Sequence, residues 1–170
     1  MAEIVELSHG GLLDQADALT ALLCACVDDG ASIGFLRPMD ISLARNFWAS
    51  VAQAQARGER HVFAAYDQGS LEGSVQLCPV LIPNQPHRAE IAKLIVHPQA
   101  RRKGHARALM QMAETAALAA GRKLLTLDTA GEAATGLYRS LGYIHCGGIP
   151  GYALDADGRP EPNLFFYKSL

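Results

Sequence analysis

Apolar residues early in the chain recur at helical spacing. Positions 12, 16, 19, 23, 26 and 27 keep a 3.6-residue period and predict a helix over 12–28, after a short alternating strand over 3–7. Asp40 is placed to cap a second helix, with Ile41, Ala44, Phe47, Trp48 and Val51 along one face. Between them, residues 30–38 (GASIGFLRP) are rich in breakers yet carry apolar side chains with no evident core role. The period then shortens to two. Strands over 60–66 and 71–82, joined by Asp67-Gln68-Gly69-Ser70, read as an antiparallel hairpin. Pro83-Asn84-Gln85-Pro86 breaks the chain, and residues 88–96 (RAEIAKLIV) form a strand that His97-Pro98 ends. A helix over 106–120 follows, with Leu109, Met112, Ala113, Ala116, Ala117 and Ala120 as its apolar face and Gly121 closing it. A strand over 123–128, a short helix over 132–141 and strands near 143–146 and 163–168 complete the chain. The last two flank a Gly/Pro-rich stretch over 147–162. The order β-α-α-β-β-β-α-β-α-β-β, with one strand–turn–helix–strand crossover, predicts a mixed α/β sheet in one domain, 1–170.

Composition narrows the partners. The net charge of −2 gives no global attraction to nucleic acid or anionic membrane, and no apolar run reaches the ~20 residues of a bilayer span. The N-terminus has no basic segment followed by a hydrophobic one, so a cytoplasmic location is expected. Cys24, Cys26, Cys78 and Cys146 lack chelating spacing and read as reduced, buried or half-buried fillers; no metal site is expected.

Charge matters where it clusters. Arg101-Arg102-Lys103-Gly104-His105-Ala106 stands at the start of the long helix, with Arg107 just behind. Cations there oppose the helix dipole by a few tenths to ~1 kcal/mol each. The arrangement makes sense if an anion sits on the turn, approached closely at Gly104 and held by exposed N–H groups. A solvated basic run and a nucleic-acid patch are the other readings. His105 is expected to stand exposed beside the anion.

The turn is neither a Walker loop nor a dinucleotide fingerprint. Its R-x-x-G-x-A pattern, filled by Arg101, Gly104 and Ala106, resembles the pyrophosphate-binding motif of the GNAT superfamily of acyl-CoA N-acyltransferases. The strand ending Leu94-Ile95-Val96-His97-Pro98 and the segment Ala134 to Tyr143 (ATGLYRSLGY) resemble the same family. Gly30 to Phe35, Arg88-Ala89-Glu90, Leu127-Asp128-Thr129 and Pro150-Gly151-Tyr152 are similar to the tabtoxin-resistance acetyltransferases, which act on a β-lactam toxin. The resemblance implies a mostly antiparallel sheet with a splayed strand pair, and acetyl-CoA as acyl donor. It implies that the backbone of Arg101, Arg102, Lys103, Gly104, His105, Ala106 and Arg107 holds the pyrophosphate. It further implies that Leu94, Ile95 and Val96 carry the pantetheine beside the strand, and that Tyr138 lies near the sulfur. One departure is Gly131, where many members carry Asn seven residues before the Tyr.

An ammonium acceptor must lose a proton before it attacks a thioester. Glu90 and Asp128 are the candidate bases, and Tyr138 the candidate proton donor to the leaving thiolate. Glu90 stands four residues before Leu94, which on a regular strand gives the same face and ~13 Å of separation. It matches a general-base position in the histone-acetylating members. Its bland alternative is an ion pair with Arg88 or a loop Arg; Asp128 could be a turn-former or helix cap, Tyr138 plain packing, and Trp48 a core residue. Loop 30–38 (Ser32, Phe35), the second helix (Trp48) and the 147–162 stretch (Tyr152) are expected to wall the acceptor. Together these imply direct N-acetylation of a small amine, amino-acid-like by resemblance, with a toxin- or antibiotic-resistance role. Protein acetylation and a non-catalytic acyl-CoA sensor are the rivals, and a homodimer is left open.

Overall fold

The computed structural model describes residues 2–130 and 134–170. Strand β1 (Glu3–Leu7) leads into α1 (His9–Asp14), α2 (Ala16–Asp28) and α3 (Ile41–Ala56). Strands β2 (His61–Asp67), β3 (Ser70–Pro79) and β4 (Arg88–Val96) form a meander. Helix α4 (His105–Ala119) crosses over to β5 (Leu124–Ala130), which is followed by α5 (Thr135–Ser140), β6 (Ile144–Leu154) and β7 (Pro160–Ser169). The sheet order is β1-β2-β3-β4-β5-β7-β6, and only β4 and β5 pair in parallel. This is the mixed, mostly antiparallel sheet with flanking helices that the sequence predicts. No helix among the described residues is long and apolar enough to cross a membrane.

Local chemistry sets the boundaries. Asp40 caps α3 as expected, accepting from the N–H groups of Ser42 (2.7 Å) and Leu43 (3.1 Å). Ser8 caps α1 one turn earlier than the apolar period begins, and Gln15 ends that turn, so the predicted single helix is two. Gly121 sits at φ 72 past α4. Its N–H reaches Leu118 O and that of Arg122 reaches Ala117 O, both at 2.9 Å, the Schellman arrangement. The buried face of α4 is His105, Leu109, Met110, Ala113 and Ala117. Met112 is 37% exposed, so the stripe runs one position from where the spacing put it. The Gly/Pro-rich stretch, outside the predicted strands, is the outer part of a long β6–β7 hairpin. Strand β6 lies at the sheet edge, where glycine and Pro150 are tolerated, and its register shifts between Ile149 and Ala153.

Two cores lie on the two faces of the sheet. One packs α4 and α5 against Val75, Leu77, Ala89, Ile91 and Leu125. The other packs α1, α2 and α3 against Val62, Ala64 and Ile95. Ile91 and Ile95 share parity yet face opposite cores. The cause is a β-bulge. Gln76 pairs with Ala92 and Ser74 with Ile95, so Val75 alone opposes both Lys93 and Leu94, and Lys93 sits at φ 52. The expectation that Glu90 and Leu94 share a face is therefore corrected. Leu94 and Val96 turn toward the α4 core, while Glu90 faces the other side with its partner Cys78.

The bulge needs room across the strand. A Cβ on Gly73 would lie 2.9 Å from Ile95 O and 3.1 Å from Leu109 Cδ1. Gly73→Ala is expected to destabilise the fold by about 1–3 kcal/mol in urea titrations, the cost of overpacking a filled site. An unchanged midpoint would mean that β3, β4 and α4 are not held that close.

Candidate active site

Strands β4 and β5 pair only at Arg88–Leu124, Ala89–Leu125 and Glu90–Thr126. Beyond Glu90, β4 follows β3 as far as Val96–Gly73, and β5 follows β7 as far as Ala130–Asn163. The sheet thus opens between them. The β4 backbone past Glu90 offers strand-edge N–H and C=O groups to that opening, which an extended amide chain can use.

On one flank of the opening lies the basic turn. Arg102 (φ 63) and Gly104 (φ 89) are left-handed, and Gly104 occupies the N-cap of α4 without a side-chain cap. A helix leaves its first N–H groups without intrahelical acceptors. Among the described residues the first to find a main-chain acceptor beyond the turn is Ala108, on Gly104 O at 3.1 Å. A left-handed turn running into a helix start is a backbone cradle for an anion. Arg101 is drawn aside to Asp29 (2.6 Å), Arg107 donates to Ser140 Oγ (2.7 Å), and Arg102 and Lys103 are exposed beside the cradle. His105 departs from expectation. It is 3% exposed, because it stands at four-residue spacing with Leu109, Ala113 and Ala117 on the buried stripe. Its Nε2 is buried without a hydrogen-bond partner among the described residues.

On the other flank is a cavity of about 280 Å³ lined by Arg88, Glu90, Thr126, Leu127, Asp128, Tyr152, Phe165 and Phe166. Glu90 and Asp128 share a face because Glu90 stands in register with Thr126, and Asp128 follows two residues later. Asp128 accepts from Asn163 Nδ2 (2.6 Å), a residue 6% exposed. It lies within β5, not at its end and not at a helix start. The ion pair weighed for Glu90 does not form, since Arg88 donates to Gln85 Oε1 (2.8 and 3.1 Å) and Thr126 Oγ1 (2.9 Å) instead.

The expected walls divide. Tyr152 lines the cavity edge-on to Phe165, with ring centroids 5.3 Å apart. Phe35 is half-buried against Phe47 at 5.3 Å, and Ser32 Oγ donates to Leu154 O at 3.5 Å. Trp48 is no wall. It is 2% exposed, because the α3 period that buries Ala44, Val51 and Ala52 buries it too. Tyr138 lies in the α4-side core, 5.8–5.9 Å from the rings of Phe166 and Tyr143. Burial, with a smaller contribution from Asp128, pushes its phenol up to about 12, so it keeps its proton at neutral pH. Gly131 lies outside the described residues. Cys146 is exposed, where a buried or half-buried thiol was expected. Among the described residues no cluster of His, Cys, Asp and Glu could hold a metal ion.

Lys93 escaped the sequence reading. Turned out by the bulge, its Nζ donates to Ile33 O (2.5 Å) and stands 5.6 Å above the Phe35 ring, tying the 30–38 loop to β4. Burial pushes its ammonium pKa down, and nearby Arg60 adds to this. A lysine inside an otherwise apolar strand segment was the available signal.

A seven-stranded mixed sheet, parted beside a helix start of this kind, is the fold of the acyl-CoA N-acyltransferases. The family model for the acetyltransferase (GNAT) domain matches residues 58–145, and the chain belongs to that family. It is an acyltransferase. Solved structures share its fold. A ribosomal-protein-alanine N-acetyltransferase from Brucella melitensis is 23% identical, with a TM-score of 0.81 and 99% of each chain covered. An N-acetyltransferase from Staphylococcus aureus Mu50 is 20% identical, with a TM-score of 0.81 over 99% of this chain and 98% of that one. A GNAT superfamily phosphinothricin acetyltransferase from Sinorhizobium meliloti, solved in complex with acetyl-CoA, is 17% identical. Its TM-score is 0.80 over 99% of this chain and 88% of that one.

The buried phenols set an alkaline limit. Between the ordinary tyrosine value of ~10 and about 12, Tyr138 keeps its proton folded and loses it unfolded. Its stabilising contribution is complete below ~pH 10 and falls as pH rises through that window, by up to ~1.4 kcal/mol per unit. Tyr138→Phe is expected to show a shallower alkaline loss of unfolding free energy than the unsubstituted chain. Equal slopes would mean that the phenol is solvated.

Proposed function

We propose that the chain moves an acetyl group from acetyl-CoA to a small-molecule amine by direct transfer in a ternary complex. The observation that carries this reading is the parting of β4 from β5 after Glu90, with a backbone anion cradle on one flank and two carboxylates on the other. The cradle suits a diphosphate: N–H groups around a left-handed glycine, with exposed cations beside them. The N–H groups from Arg101 through Arg107 would hold it, and the edge of β4 at Leu94, Ile95 and Val96 would pair with the pantetheine amides. Acetyl-CoA supplies an acyl group activated as a thioester.

The chain's own groups then do the proton work. Glu90 or Asp128 takes the proton from the acceptor ammonium, directly or through water, and leaves a neutral amine to attack. A strand-edge N–H near the bulge stabilises the oxyanion. Tyr138, kept protonated by burial, donates toward the departing sulfur. Cys78 pairs with Glu90 across β3 and β4, but burial pushes its thiol pKa up. It stays a thiol and makes a poor nucleophile, which favours direct transfer over an acyl-enzyme.

The reading extends to a single catalytic domain over 1–170, working in the cytoplasm on a small molecule, not on nucleic acid or membrane. The resemblance to tabtoxin-resistance acetyltransferases supports an amino-acid-like toxin or antibiotic as acceptor. Ser32, Phe35 and Tyr152 would face it.

Gly104→Val is expected to weaken CoA binding at least about tenfold by calorimetry, with the circular dichroism spectrum retained, because a β-branched residue resists φ 89. Unchanged affinity would remove the cradle from the donor site. Glu90→Gln and Asp128→Asn are each expected to lower kcat by about 10²-fold or to shift the pH–rate profile. The carboxylate whose variant keeps the original profile is not the base.

A further inference from the structure

Arg88 lines the acceptor cavity and forms no ion pair among the described residues. Its guanidinium donates only to neutral oxygens, twice to Gln85 Oε1 and once to Thr126 Oγ1. Glu90 and Asp128 share the cavity, yet among the described residues neither forms a hydrogen bond or ion pair with the guanidinium. The three hydrogen bonds use one N–H each on Nε, Nη1 and Nη2, and a guanidinium has five, so each terminal nitrogen keeps one free. The group is braced and placed, with two N–H donors uncommitted among the described residues.

We propose that Arg88 is a specificity-determining residue that binds a carboxylate on the acceptor. This rests on the small-amine reading above. Arg88 reaches along the sheet to Glu90's partner Thr126, whose hydroxyl it holds at 2.9 Å, and Asp128 follows Thr126 by two residues, ~6.6 Å of strand. An acceptor with its ammonium at the carboxylates can therefore set a carboxylate on the free N–H groups of Arg88, and its chain length decides how well it spans the gap. Leu127, Tyr152 and Phe165 supply apolar walls for the methylenes between.

Steady-state kinetics test this, with ω-amino acids from glycine to ε-aminocaproate against alkylamines of matching chain length. The unsubstituted chain is expected to prefer the carboxylated acceptor by about tenfold or more in kcat/KM, the scale of a charge-assisted hydrogen bond. Arg88→Met should collapse that ratio toward one, chiefly through KM. Gln85→Ala, which removes the brace but keeps the guanidinium, should retain the ratio. No preference at any length, or an equal proportional loss on both acceptors in Arg88→Met, would overturn the assignment. If no amine is turned over, the transfer reading fails, and the carboxylate site is judged separately. Calorimetry of ε-hydroxycaproate against CoA-saturated protein should then show binding that Arg88→Met abolishes. Equal binding, or none, would overturn it.

Discussion

One surplus residue in β4 governs the geometry of the whole cleft. Two residues, Lys93 and Leu94, stand against one on β3, and the strand bends and exchanges its faces at that point. From Arg88 to Glu90, β4 is an ordinary interior strand, paired on both sides; beyond Glu90 it keeps β3 and loses β5. A bulge increases local twist and ends pairing on one side more readily than a regular ladder can. The opening is thus a property of backbone register, and its lining residues inherit their positions from it.

The exchange of faces also sorts the chemistry. Leu94 and Val96 turn toward the core beneath α4, next to the helix whose first turn carries the anion cradle. Glu90 and Asp128 stay on the face of α1, α2 and α3, with Tyr152 of the outer hairpin lining the cavity beside them. Leu127 and Phe166, on the α4 side, still reach the cavity, so the gap connects the two faces of the sheet. Donor and acceptor can then approach from different sides of a single layer and meet within it. Charge is distributed in the same spirit. Two carboxylates and Arg88 line the cavity on one flank, and the exposed cations of the basic turn stand on the other.

Much of this was legible in the sequence. The strand over 88–96 and the caps at Asp40 and Gly121 rest on local steric rules, and these hold. The basic turn announced itself by defying the helix dipole. What escaped was set by tertiary register. Nothing in RAEIAKLIV marks an extra residue, so Glu90 and Leu94 were expected on one face, and Lys93 passed as a strand position like any other. His105 was misplaced because the helix begins one residue early, which brings it into phase with Leu109. The outer hairpin was hidden because glycine and proline usually signal loops, and only an edge strand without a further partner accommodates them. Trp48 and Phe47 are adjacent, so one had to be buried; the phase of Ala44 and Val51 decided in favour of Trp48.

The 30–38 loop is leashed at several points. Lys93 holds Ile33, Arg37 holds Asp157 on the outer hairpin, and Asp29 just before it holds Arg101. Gly34, at φ 88, leaves only 3.1 Å between a would-be Cβ and Lys93 Nζ. Anyone transplanting this segment to a homologous scaffold, to borrow its selectivity, would have to carry its three mooring partners along with it. The transferable unit is discontinuous in the chain.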